Sequence, residues 1–221
     1  SVSEDQMNWF RVMLPIDPLC DAIGKDHVYF FTFNLAGDPM ESAKELDEYI
    51  QMVKKETGHD QVDFLPVSLG GTILTAYVEQ FKDKNDVRRI VNAVAVLNGT
   101  NIIDDFYKRE WNLDDEFIYN EFLPIIMEES GDKDMGYLIS IALRILPKDV
   151  LYSTLTSFYD VLYNTMLLKI PQFWAMCSKE TYAQIIDSVL PKDKYPVLRA
   201  KTDAFQQARI NLESNLKYMK E

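Results

Sequence analysis

Val62-Asp63-Phe64-Leu65-Pro66-Val67-Ser68-Leu69-Gly70-Gly71-Thr72 decides how this chain is read. Val62 to Leu65 is a short β-prone run that leads straight toward a serine. From Thr72 to Phe81, the residues Ile73, Leu74, Tyr77, Val78 and Phe81 recur at helical spacing. A strand is therefore expected to turn into a helix at Ser68, with the serine backbone outside ordinary helix and sheet values and its hydroxyl projecting. Gly70 is expected to spare a collision with the incoming strand, and Gly71 to let the helix pack close to the sheet. The Leu69 N–H falls where an oxyanion would form, at the positive end of the helix. Pro66 stands where a small residue is wanted; its fixed φ suits a strand end, and its missing N–H is expected to cost little there.

Working outward, His27 to Phe33 is rich in aromatics and reads as a first strand. Asp38-Pro39-Met40-Glu41 has the pattern of a helix start, and Gly58 that of its stop. Ala43, Leu46, Ile50 and Val53 lie between them at helical spacing. Ile90 to Leu97 reads as a third strand. Strand and helix alternating in this order predict a parallel sheet with helices packed on it and ligands at the carboxyl ends of its strands. From about residue 101 the chain reads as helices. Stripes are formed by Leu138, Ile141, Ala142 and Ile145, and by Leu151, Leu155, Phe158, Leu162 and Met166. Ser178 reads as the cap of a helix carrying Tyr182, Ile185, Ile186 and Val189. Leu198, Phe205, Ala208, Leu212 and Met219 mark a long last helix.

Gly58-His59-Asp60 leading into Ser68-Leu69-Gly70-Gly71 resembles the lecithin:cholesterol acyltransferase-like branch of the α/β-hydrolases. So does the run from His27 to Phe33 followed by Asn34-Leu35-Ala36-Gly37-Asp38-Pro39, although Phe33-Asn34-Leu35-Ala36 departs from the family's Tyr-Asp-Trp-Arg-like run. Leu168 to Leu190, with Pro171, Trp174, Ser178 and Tyr182, looks like the family's insertion helices. The likeness spans roughly residues 18 to 190 and is specific at the Ser68 turn. It implies an α/β fold, a partial α/β-hydrolase parallel sheet in residues 1–100, and a large all-helical cap in 101–221. It implies hydrolysis or acyl transfer on lipid-like esters, with Ser68 attacking the carbonyl.

A serine nucleophile needs a base, usually histidine, oriented by a carboxylate. The chain has two histidines, His27 and His59. His27 opens the first predicted strand and His59 precedes the second, whereas Ser68 follows one. A strand of this kind separates the two edges by about 17–20 Å, beyond any hydrogen bond, so both read as structural or surface residues. Asp105, beside Asp104 after the third predicted strand, is the candidate acid within the chain. The plainer reading of that pair is a solvated acidic helix start. The acid and histidine are therefore expected outside these 221 residues. The alternatives are a non-catalytic binding or scaffold protein that keeps the turn without a triad, and a helical interaction protein whose turn is coincidental.

Composition narrows the partners. The net charge of −12 disfavours nucleic acid and electrostatic docking on anionic lipid, while an apolar ester is recognised by burial rather than charge. No stretch approaches the roughly 20 apolar residues of a membrane helix. No cofactor or metal is expected. Cys20 and Cys177 lack metal-ligand spacing and read as buried free thiols, suiting a soluble, cytoplasmic setting. The Asn98-Gly99-Thr100 sequon is read as chance. Oligomeric state is left open.

Overall fold

The structure, a computed structural model, describes residues 16–110, 141 and 147–220. After a short helix α1 (Ile16–Ile23) comes α2 (Pro39–Thr57), whose ends are set locally. The Asp38 carboxylate accepts the Met40 N–H at 3.0 Å, Pro39 fills the first turn, and Gly58 closes the helix at φ 73°. Strand β1 (Val62–Phe64) follows, then α3 (Gly70–Phe81) and β2 (Val87–Ile90). β1 and β2 pair in parallel, with Phe64 opposite Ile90. The remaining elements are helical: α4 (Asn101–Lys108), α5 (Lys148–Leu162) running into a π turn at Tyr163–Leu167, α6 (Pro171–Met176), α7 (Lys179–Val189) and α8 (Pro196–Tyr218).

This corrects the expected fold class. Helices account for 67% of the described residues, which include a sheet of two strands, so the fold is mostly helical rather than an α/β-hydrolase sheet with a cap. Three local causes can be named. Lys25–His27 form a 3₁₀ turn instead of opening a strand. The aromatic run after it joins no ladder, and Phe31 packs at a tilt against Tyr49 of α2, with ring centroids 5.7 Å apart. Regular pairing of β1 stops at Phe64, two residues before Pro66, which has no N–H to donate; the proline is less innocent than its φ suggests. The third strand lies earlier than expected, at Val87–Ile90, and beyond it Val94 sits at φ 48°, which interrupts a regular ladder.

Helix α3 is the centre of the packing. Gly71 to Val78 are all buried, because α2, α6 and α8 cover it on different sides. Ala43, Ala76, Ala175 and Ala208 are fully buried and small enough for close helix approach. One core joins Ala43 and Ile50 with Ala76, Tyr77, Val87, Ala175 and Phe205, and a second joins Leu74 and Val78 with Leu212. Both draw on residues from either side of position 100. The third core surrounds Trp174, on which Tyr107 stacks at 4.0 Å.

The last two helices follow their sequence patterns, but α5 does not. Its inward face carries Tyr159 and Tyr163, continued by Leu167, while Phe158 is 66% exposed and Met166 also faces outward. The Tyr107 hydroxyl donates to the Leu167 carbonyl at 2.6 Å within the π turn. Of the first stripe, Leu138, Ala142 and Ile145 lie outside the described residues. No helix among the described residues is long and apolar enough to cross a membrane.

One partly buried ionic cluster makes stability pH-dependent. Burial raises the Asp203 carboxyl pKa, but hydrogen bonds from Arg199 (2.9 Å) and the Tyr182 hydroxyl (2.7 Å) outweigh it and hold the group below its usual value. A depressed folded-state pKa contributes stability above the unfolded value that is lost as pH falls through the folded one. Asp203→Asn is therefore expected to flatten the loss of stability below about pH 4, measured by urea melts across that range.

Candidate functional site

Ser68 lies between β1 and α3, exposed and at φ 49°. That left-handed value is uncommon outside glycine, and it turns the chain sharply between strand and helix. The Ser68 N–H donates to the Ala93 carbonyl at 3.3 Å; its own carbonyl accepts the Val96 N–H at 2.8 Å and the Gly71 N–H at 3.1 Å. Val67 and Ala93 form an isolated parallel bridge that carries the pairing one step past the strands.

The amides at the head of α3 are mostly spent. Gly70 N–H donates to the Val67 carbonyl and Thr72 N–H to the Leu69 carbonyl, which the Thr72 hydroxyl also reaches at 2.8 Å. The Leu69 N–H donates to no group among the described residues. An exposed serine hydroxyl thus stands one residue from an open amide at the positive end of a 12-residue helix.

The two glycines divide their work differently from the sequence expectation. A Cβ at Gly70 would meet Pro66 Cβ at 3.7 Å, an ordinary contact, so no collision is being avoided there. A Cβ at Gly71 would lie 2.7 Å from the Val96 nitrogen and 2.9 Å from its carbonyl carbon. Close approach is needed at Gly71, and its neighbour is the backbone of the loop after β2.

The histidines sit elsewhere. His27 ends the 3₁₀ turn and His59 follows the stop of α2; their rings pair at 5.9 Å beside a groove of about 470 Å³ lined by Lys25, Asp26, Tyr29, Glu56 and Thr57. Neither hydrogen-bonds Ser68.

Asp105 is half-buried on α4, and its backbone carbonyl accepts the Glu110 N–H. No hydrogen bond joins its carboxylate to Ser68 or to a histidine. Its neighbour Asp104 is not solvated. It is buried and accepts the Ser178 N–H at 2.8 Å, fastening α4 to the head of α7. Burial, then the Asp104 charge beside it, pushes the Cys177 thiol far above its ordinary pKa, which makes it unreactive. Cys177 is buried and Cys20 half-buried, and both are unpaired. Among the described residues no group of three His, Cys, Asp or Glu side chains is placed to hold a metal.

Sequence reasoning missed Val94, whose turn faces Ser68, and Arg209, which holds the same loop from behind. Arg209 Nε donates to the Leu97 carbonyl at 2.9 Å, and its Nη atoms reach the Ala175 and Cys177 carbonyls. An apolar run gives no sign of a left-handed turn within it, and an arginine on a long helix is expected to face water. Comparison of the chain with family models, with curated proteins and with solved structures gave no match.

Proposed function

We propose that Ser68 is the nucleophile of a serine acyl hydrolase or acyltransferase acting on lipid-like esters. The observation that carries this reading is the exposed, left-handed Ser68 beside the open Leu69 N–H. A base takes the hydroxyl proton as Oγ attacks the ester carbonyl, and the oxygen that becomes negative is met by the Leu69 amide. Collapse of that intermediate breaks the ester C–O bond, the base hands its proton to the departing alcohol, and the acyl group stays on Ser68 until water or another alcohol, deprotonated by the same base, takes it over. Leu65, Val91 and Val94, exposed apolar residues near this end of the sheet, favour an apolar acyl chain. The ester class rests on the local resemblance of residues 58–71. His27 and His59 do not serve as base, so the histidine and its acid come from outside these residues.

The position of the two histidines also favours a second reading, a binding protein that keeps the turn without chemistry. Labelling separates the two. With imidazole added as an external base, a fluorophosphonate is expected to modify Ser68 about 10²-fold faster than the exposed Ser153 and Ser157, since one oxyanion donor contributes about that much. Mass spectrometry of the peptide holding Ser68 reads the adduct, and Ser68→Ala removes it. Equal reactivity of the three serines would leave the binding reading.

A further inference from the structure

Four non-glycine residues among those described have positive φ: Ser68, Asn85, Val94 and Arg109. Asn85 and Arg109 stop helices, where the left-handed conformation is the ordinary closing device. Ser68 and Val94 stop nothing, and they face each other. The Ser68 N–H donates to Ala93 and the Ser68 carbonyl accepts from Val96. In a regular parallel ladder those two partners stand two residues apart, so one extra residue has been inserted opposite Ser68. That is a β-bulge, and in such bulges the left-handed position usually belongs to glycine. Here it holds a β-branched residue at φ 48° that is 86% exposed, so burial does not offset the strain. Val96 has no room to compensate on the other side, because its backbone lies where a Cβ on Gly71 would be.

We propose that Val94 is a positioning residue for Ser68. Its left-handed turn spaces the Ala93 carbonyl and the Val96 N–H so that they grip the Ser68 peptide from both sides and hold it left-handed with the hydroxyl outward. The role belongs to the backbone at 94 rather than to the valine side chain. Its catalytic meaning rests on the nucleophile reading of Ser68; the coupling of the two dihedral angles does not.

The test uses the full chain with Val94→Gly, Val94→Asn and Val94→Pro. Glycine and asparagine accept the left-handed conformation, whereas proline is fixed near φ −65°. Three readouts are followed: the intraresidue amide-to-Hα nuclear Overhauser effect of Ser68, strong only when φ is left-handed; hydrogen exchange of the Val96 amide; and the imidazole-assisted labelling rate of Ser68. The glycine and asparagine variants are expected to keep all three and to melt a few degrees higher. The proline variant is expected to lose the Ser68 effect, to exchange the Val96 amide at least about 10-fold faster, and to label about 10²-fold more slowly, with its circular dichroism unchanged. A proline variant that keeps the Ser68 signal and labelling overturns the proposal. So does slow labelling in the glycine variant with the Ser68 signal intact. A right-handed or extended Val94 in the unmutated protein overturns it as well, and that measurement does not depend on the proline variant folding. If Ser68 resists labelling in every variant while its φ follows residue 94, the nucleophile reading falls and the coupling stands.

Discussion

Gly99→Ala is expected to destabilise the protein by about 3 kcal/mol and to lower Tm by about 10 °C. Two costs add there. Gly99 has φ 90°, where an L side chain is strained. A Cβ on it would also lie 2.6 Å from the Ser178 nitrogen and 2.7 Å from Ser178 Cα. These are backbone atoms in the turn between α6 and α7, and that turn is fixed from both directions. The Thr100 N–H donates to the Met176 carbonyl at 3.0 Å, and the Asp104 carboxylate holds the Ser178 N–H. Neither side yields without breaking one of these hydrogen bonds. Gly58→Ala isolates the first cost, since Gly58 has φ 73° and nothing within 4 Å of the added carbon; it is expected to lose only about 1 kcal/mol. Gly70→Ala carries neither cost, and in the first turn of α3 it is expected to be neutral or slightly stabilising. Urea melts of the three variants check the order. Equal losses at positions 58 and 99 would show that the loop and the α6–α7 turn separate freely.

Some of this architecture was legible in the sequence because its signals are local. Asp38-Pro39 and Gly58 specify both ends of α2 through bonds made within a few residues. The turn at Ser68 was legible for the same reason. The extent of the sheet was not. A run such as His27 to Phe33 is apolar whether it joins a ladder or lies against a helix through its side chains, and Phe31 on Tyr49 is the second case. The helical half misled in another way. A stripe counted on wholly apolar residues selects Phe158 and Met166, yet the inward face carries Tyr159 and Tyr163, and other tyrosines place their hydroxyls on acceptors inside. Tyr107 donates to the Leu167 carbonyl, and Tyr182 meets Thr202 and Asp203. Polarity at the tip of a long aromatic ring does not keep it out of a core when an acceptor is waiting. Around Ser68, the turning serine and the neighbouring amide could be named from sequence, but the loop gripping them could not, since its partners lie about 25 residues away in the chain.

Arg209→Met is expected to be the most damaging single substitution on α8, at about 3–5 kcal/mol. Arg209 is 5% exposed and forms no salt bridge among the described residues. Burial lowers its pKa to about 10, so the guanidinium remains charged at neutral pH. Backbone carbonyls meet that charge: Leu97 at 2.9 Å, Cys177 at 2.5 Å and Ala175, with the Gln206 side-chain oxygen at 3.1 Å. Two of these carbonyls belong to the last turn of α6 and the residue after it, where the helix dipole is negative and a cation is favoured. Methionine fills similar volume but donates nothing. It strands the buried Ala175 carbonyl and the partly buried Leu97 carbonyl, at up to about 1–3 kcal/mol each, while Cys177 keeps its bond from Gln206 at 3.1 Å. Arg209→Lys restores the charge without the planar fork, and it is expected to recover less than half of the loss. The effect should also reach the candidate site. Leu97 directly follows Val96, whose amide holds the Ser68 carbonyl, and releasing Leu97 frees the far end of that grip. Val96 amide exchange is therefore expected to accelerate in Arg209→Met under conditions where α2 amides remain protected. Uniform acceleration across the chain would show global destabilisation alone, with no path from Arg209 to Ser68.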